Sequence, residues 1–328
     1  MIFLPKYVSS NSAFNAMTFC QKILNTTEGS IDIDAQNLKF IDPFGIALLG
    51  ACFYEIKARG QNIRVYRIIN SLSSYLQRMD LFKEIELIEC QPENGNRQNR
   101  GDALVELTML SQHNEVGNAS HRLAKAIIGS NGDIDPNEPE DEMSGFNAFD
   151  RLVEPLQYAL NELLENSLTH ARRNGNGDAS VWIASQYYPS NGSIRLGVVD
   201  NGCGFLESLR NHQSLQNKRH LNAILLALQP RISCNRDLGL RSDTINQGVG
   251  LTTSCRIVEH AGGSLVLISG NSMHSTSGLS SESADESCYW KGVGIAIECE
   301  RARLSDVRFR ELLPPLDDIA PVRLRFEQ

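Results

Sequence analysis

Short apolar or alternating runs, separated by stretches with apolar residues three and four apart, give the chain an α/β rhythm. "GSIDIDAQNL" (29–38) reads as a strand and "FIDPFGIALLGACFYEIKARG" (40–60) as a turn leading into a helix, with Gly60 placed as a C-cap. "QNIRVYRI" (61–68) and "SLSSYLQRMDLFKEI" (71–85) repeat the strand–helix order. Apolar positions then almost vanish in "CQPENGNRQNRGD" (90–102), which reads as a linker. Beyond it the pattern predicts a strand over 103–110, a short helix over 118–129, an acidic loop over 130–145 and a long helix containing "YALNELLENSLTHARRNG" (158–175). Strands follow at 179–188 and 193–205, a helix at 220–229, a Gly-bearing polar stretch at 230–250, a helix at 251–263, and strands at 264–270 and 291–300 around a Ser-rich loop from Asn271 to Ser287. No internal repeat stands out.

The length of 328 residues suits two domains, and 41% hydrophobic residues suffice for their cores. A formal net charge of −8 argues against a broad nucleic-acid surface. The absence of an apolar run of about 20 residues, and of a signal-peptide pattern at "MIFLPKYVSS", leads us to expect a soluble cytoplasmic protein without a membrane segment. Eight cysteines without a C-x-x-C pair and seven histidines without H-E-x-x-H spacing fit neither a disulfide framework nor a zinc site.

Candidate chemistry gathers in three places. On the long helix, Glu162 and Asn166 stand one turn apart on the side away from Leu160, Leu163, Leu164 and Leu168, beside Glu165 and Thr169. A solvated polar face explains such a pattern taken alone. "VVDNGCGF" ends a β-branched strand in Asp200-x-Gly202-x-Gly204, where a buried carboxylate can accept a hydrogen bond from an exocyclic amine. "NQGVGLTTSCRIVEHAGG" places Gly248-x-Gly250-Leu251 at a helix start, where backbone N–H groups suit phosphate. There is no G-x-x-x-x-G-K-[ST], so a P-loop enzyme is excluded.

In order and spacing these three motifs resemble the N, G1 and G2 boxes of the GHKL (Bergerat-fold) ATPases, over roughly residues 101–300. The resemblance implies ATP and Mg²⁺ as cofactors, with Asn166 as metal ligand and Glu162 as the catalytic group that orients or deprotonates the attacking water or hydroxyl. It implies that Asp200 holds the adenine amine, Gly202 and Gly204 frame the base, and Gly248, Gly250 and Leu251 bind phosphate. Residues 206–247 would form a lid, and its Arg236 and Arg241 are more naturally solvated surface groups than γ-phosphate contacts. The first third, with its Asp42-x-x-Gly45 turn, resembles the STAS domain of anti-sigma-factor antagonists. Pro43 and Phe44 stand where that family carries a phosphorylatable Ser or Thr, which leaves the domain as a scaffold or docking surface.

The expected fold is therefore α/β: a small STAS-like domain (1–92), a linker (93–102) and a histidine-kinase-like sandwich (103–328) with a mixed sheet and helices on one face. The expected function is an ATP-dependent switch that hydrolyses ATP and has a protein partner on the STAS-like domain. The alternatives are a serine/threonine kinase of the anti-sigma type acting on a separate STAS partner, and a nucleotide-binding module without turnover. A histidine-kinase reading would need His121 as phosphoacceptor, and its helix lacks the following Pro and the dimerisation pair. The 28 residues after Glu300 are too few for the transducer domain of a topoisomerase or repair ATPase. The family resemblance allows a homodimer, although no stretch of the sequence marks a dimer surface.

Overall fold

The computed structural model describes residues 1–83, 85–90, 100–129, 147–229, 232, 250–307 and 312. The N-terminal half comprises β1 (Ile2–Phe3), β2 (Tyr7–Val8), α1 (Ala13–Leu24), β3 (Ser30–Asp34), β4 (Phe40–Ile41), α2 (Pro43–Ala58), β5 (Asn62–Tyr66), α3 (Asn70–Arg78) and β6 (Glu86–Ile88). Its parallel sheet runs β1-β3-β5-β6, the order that strand–helix–strand crossovers produce. Asp42 caps α2 by accepting from Gly45 N at 2.9 Å, and Pro43 occupies the first turn, where its missing N–H costs nothing. Twelve of the sixteen residues of α2 are buried, because its first eleven are apolar on every side and covered on every side, while Tyr54 and Ala58 near its end are exposed.

The second half adds β7 (Leu104–Leu110), α4 (Val116–Ile128), α5 (Ala148–Ala171), β8 (Val181–Tyr188), β9 (Ser193–Asp200), α6 (Gly204–Ser208), α7 (His220–Ala227), α8 (Gly250–His260), β10 (Ser264–Gly270), β11 (Ser272–Ser275), β12 (Ser280–Ser283) and β13 (Trp290–Glu300). They form a seven-stranded sheet in the order β12-β11-β10-β13-β9-β8-β7. Every described ladder in it is antiparallel, not mixed as expected, since β8–β9, β10–β11 and β11–β12 are hairpins with short connections. The Ser-rich stretch expected as a loop holds β11 and β12. They pair through side chains as well as backbone, with Ser272 and Ser283 hydroxyls 2.8 Å apart and His274 Nδ1 2.7 Å from Ser281 Oγ.

Side chains alternate across this sheet. Ile183, Ile194, Leu196, Val198, Leu267 and Ile295 face one way and share a core with α4, α5 and α8. Trp182, Ala184, Val199, Ile268, Trp290 and Ala296 face the other way and share a core with Met17, Cys20, Phe44 and Leu48 of α1 and α2. Helices thus cover both faces rather than one. Gly197 sets the distance: a Cβ there would lie 2.5 Å from Phe44 Cα, so glycine lets the start of α2 rest on the strand backbone. α1, absent from the pattern-based reading, fills the same layer and buries Ala16, Met17, Phe19, Cys20 and Ile23.

Candidate nucleotide site

The long helix α5 begins at Asn147, whose Oδ1 accepts from Asp150 N at 2.8 Å in a capping box. Leu160, Leu163, Leu164 and Leu168 are buried as the spacing predicts, which turns Asn166, Ser167 and His170 toward a cavity between α5 and the sheet. Asp200, at the end of β9, enters the same cavity, as do Gly204, Phe205, Leu251 and Val293. The lining is mostly apolar with a few polar groups, the character of a site for a planar ring with one polar edge.

Asp200 is 4% exposed. Its Oδ1 accepts from Gly202 N at 2.9 Å and from Val293 N at 3.2 Å, and among the described residues Oδ2 has no donor. Burial raises its carboxyl to about 7, and the two N–H donors and Lys291 only partly offset this. The glycines after it serve different ends. Gly202 does not line the cavity: a Cβ there would meet the backbone of Ala171 at 2.2 Å, so this glycine packs the turn onto α5. Gly204 does line it, with φ +74°, a conformation that side chains disfavour, and with Lys291 O 2.6 Å from where a Cβ would be.

Glu162 stands one turn before Asn166 and outside the cavity lining, 8% exposed. Burial and the neighbouring Glu165 raise its carboxyl, while Glu165 itself pairs with His113 Nδ1. Gly250 opens α8 and Leu251 reaches the cavity, whereas Gly248, Arg236 and Arg241 lie outside the described residues. Of the span expected as a lid, 206–229 is described. There α6 and α7 close a small core of Leu209, Leu215, Ala223 and Leu226. His121 bonds Gln157 Oε1 at 2.9 Å across α4 and α5. His170 is a site residue the motif reading passed over, although it continues the four-residue spacing of Glu162 and Asn166. Burial lowers its pKa to about 4, so it presents a neutral imidazole to the cavity.

An α/β sandwich thus brings a helix amide and a buried carboxylate at a strand end to one cavity. Residues 152–288 match the family model of the histidine kinase-, DNA gyrase B- and HSP90-like ATPases, so the chain contains a domain of that GHKL type, which implies ATP binding. No curated protein matches the chain. Among the described residues no helix is long and apolar enough to cross a membrane.

Proposed function

We propose that the protein is an ATP-dependent conformational switch that binds Mg-ATP between α5 and the Gly-bounded segments and resets by hydrolysis. The observation that carries the reading is Asp200, a buried carboxylate that lines a largely apolar cavity and has Oδ1 already accepting two backbone N–H groups, an arrangement that suits the exocyclic amine of adenine at the second oxygen. Asn166 fits a hard cation, because it brings a neutral side-chain oxygen to the cavity and leaves phosphate and water to complete the shell. When bound there, Mg²⁺ would neutralise charge on the phosphate oxygens. Glu162, one turn before Asn166 on α5 and with its affinity for protons raised by burial, is suited to take a proton from the attacking water. Neutral His170 adds a hydrogen-bonding group without drawing off the phosphates' charge.

The β3–α2–β5 unit with its Asp42-x-x-Gly45 turn supports reading the first 92 residues as a STAS-like domain that meets a protein partner. A kinase reading requires a separate substrate. In this chain the turn carries Pro43 and Phe44, and Phe44 is 1% exposed against the ATPase sheet. The test is incubation with γ-labelled Mg-ATP, following free phosphate and protein-bound label beside Glu162→Ala. Free phosphate that falls about 100-fold in the variant, with ATP still bound, is the expected result. Label transferred to an added STAS protein would favour the kinase instead.

A further inference from the structure

Val293 lines the nucleotide cavity, and the segment 286–293 that leads to it is fastened to the N-terminal half. Toward the cavity, Trp290 Nε1 donates to the Asp200 carbonyl at 2.9 Å and Val293 N to Asp200 Oδ1 at 3.2 Å. Gly292 lies so close that a Cβ on it would stand 2.0 Å from the Asp200 carbonyl oxygen. In the other direction, Gln21 of α1 donates to Glu286 O at 3.0 Å, the Cys288 thiol donates to Phe14 O at 3.4 Å, and Lys291 Nζ pairs with Glu55 of α2 at 3.0 Å. Trp290 stands between the two sets. It is 1% exposed, and its core cluster includes Met17, Phe44 and Leu48.

We propose that Trp290 is a positioning residue for the nucleotide: it ties the placement of Asp200 to the seating of α1 and α2, so the N-terminal half sets nucleotide affinity. The inference rests on the ATP-binding reading of the site. Its physical basis is the shortness of the path. A shift of α1 or α2 displaces residues 286–291 directly, and the indole N–H, held in a close-packed core, passes that shift to the backbone of the one carboxylate that would read the base. A buried carboxylate recognises an amine only when its oxygen is aimed within hydrogen-bond geometry, so a small displacement weakens adenine selectively. Linkage makes the effect reciprocal: bound ATP would also hold the N-terminal half in place.

Trp290→Phe keeps a ring in the core and deletes the donor. Calorimetric titration should show ATP binding weakened about five- to tenfold, the scale of one buried hydrogen bond. GTP, which presents a carbonyl where adenine has its amine, should bind within about twofold of its wild-type affinity, so the ATP-over-GTP preference falls. A tryptophan that only filled the core would weaken both nucleotides together. A second variant, Gln21→Ala with Glu55→Ala, touches no cavity residue and loosens the fastening. It should lower ATP affinity in the same direction by about two- to threefold, as expected for partly exposed contacts, and it carries the test if Trp290→Phe fails to fold. Trp182 and Trp290 are the two tryptophans of the chain. In a Trp182→Phe background, ATP should therefore alter the emission of Trp290 itself. Unchanged ATP affinity and unchanged preference in Trp290→Phe would overturn this inference and leave the ATP site standing. Failure of the wild-type protein to bind ATP would overturn both.

Discussion

Asp200 carries a conflict between folding and binding. Burial holds its carboxyl at about 7, so the native state grips a proton that the unfolded chain releases near 4. Its contribution to stability is present at low pH and is lost as pH rises from about 4 to about 7. His170 has the opposite sign. Its pKa falls to about 4, so its contribution is gained as pH rises from about 4 to about 6.5. The two slopes oppose each other in the wild-type protein. Asp200→Asn removes the first, and the amide oxygen can still accept from Gly202 and Val293. We expect the nucleotide-free variant to gain stability through pH 4–6.5 and, at pH 8, to exceed the wild type by up to about 4 kcal/mol, while losing ATP binding. Denaturant midpoints across pH 4–8 check this, and a variant no more stable than wild type at pH 8 would show that the buried charge costs nothing.

The elements differ in how much of their setting could be read from their own residues. For α2, "PFGIALLGACF" is apolar on all sides, which announces burial on all sides, yet the surface it meets lies about 150 residues later in β9 and about 240 later in β13. The contact predicts its own sensitivity. Gly197→Val drives a side chain into the backbone of Pro43 and Phe44 and should cost about 3 kcal/mol or more, whereas Gly117→Ala in α4 meets nothing within 4 Å and should gain about 0.5–1 kcal/mol. Urea unfolding of the pair separates the two effects. Other features were closed to sequence reasoning for physical reasons. β11 and β12 lack apolar alternation because one hydroxyl pair and a His–Ser contact help join them, and α4 ends under Arg301, which donates to Ala126 O and Ile127 O from 175 and 174 residues away. The candidate site was legible in part: Asn166, Asp200, Gly204 and Leu251 line one cavity, while Glu162 and Gly202 stand outside that lining. Phe205 and Leu209, by contrast, reach the cavity through packing of α6 that no offset encodes.

At the scale of the whole molecule, the core decides what unfolds together. The linker expected at 93–102 invites a picture of two beads on a string. Yet α2 is buried only because both the N-terminal sheet and the seven-stranded sheet cover it, and Trp182, Val199, Ile268 and Trp290 are buried only because α1 and α2 lie on them. Neither half has a closed core without the other, so the folded chain should melt as one cooperative unit. Saturating Mg-ATP, at about 100 times its dissociation constant, adds about 2.7 kcal/mol to whatever unit contains the site. Calorimetry should therefore show a single transition that moves up as a whole by roughly 2–4 °C with ATP. Two independent domains would instead give two transitions, of which ATP moves one, and that result would cut the connection between the N-terminal half and Asp200. Residues 100–312 alone, with the Trp182–Trp290 face uncovered, should lose cooperative unfolding and bind ATP poorly, even though the candidate site residues are all present.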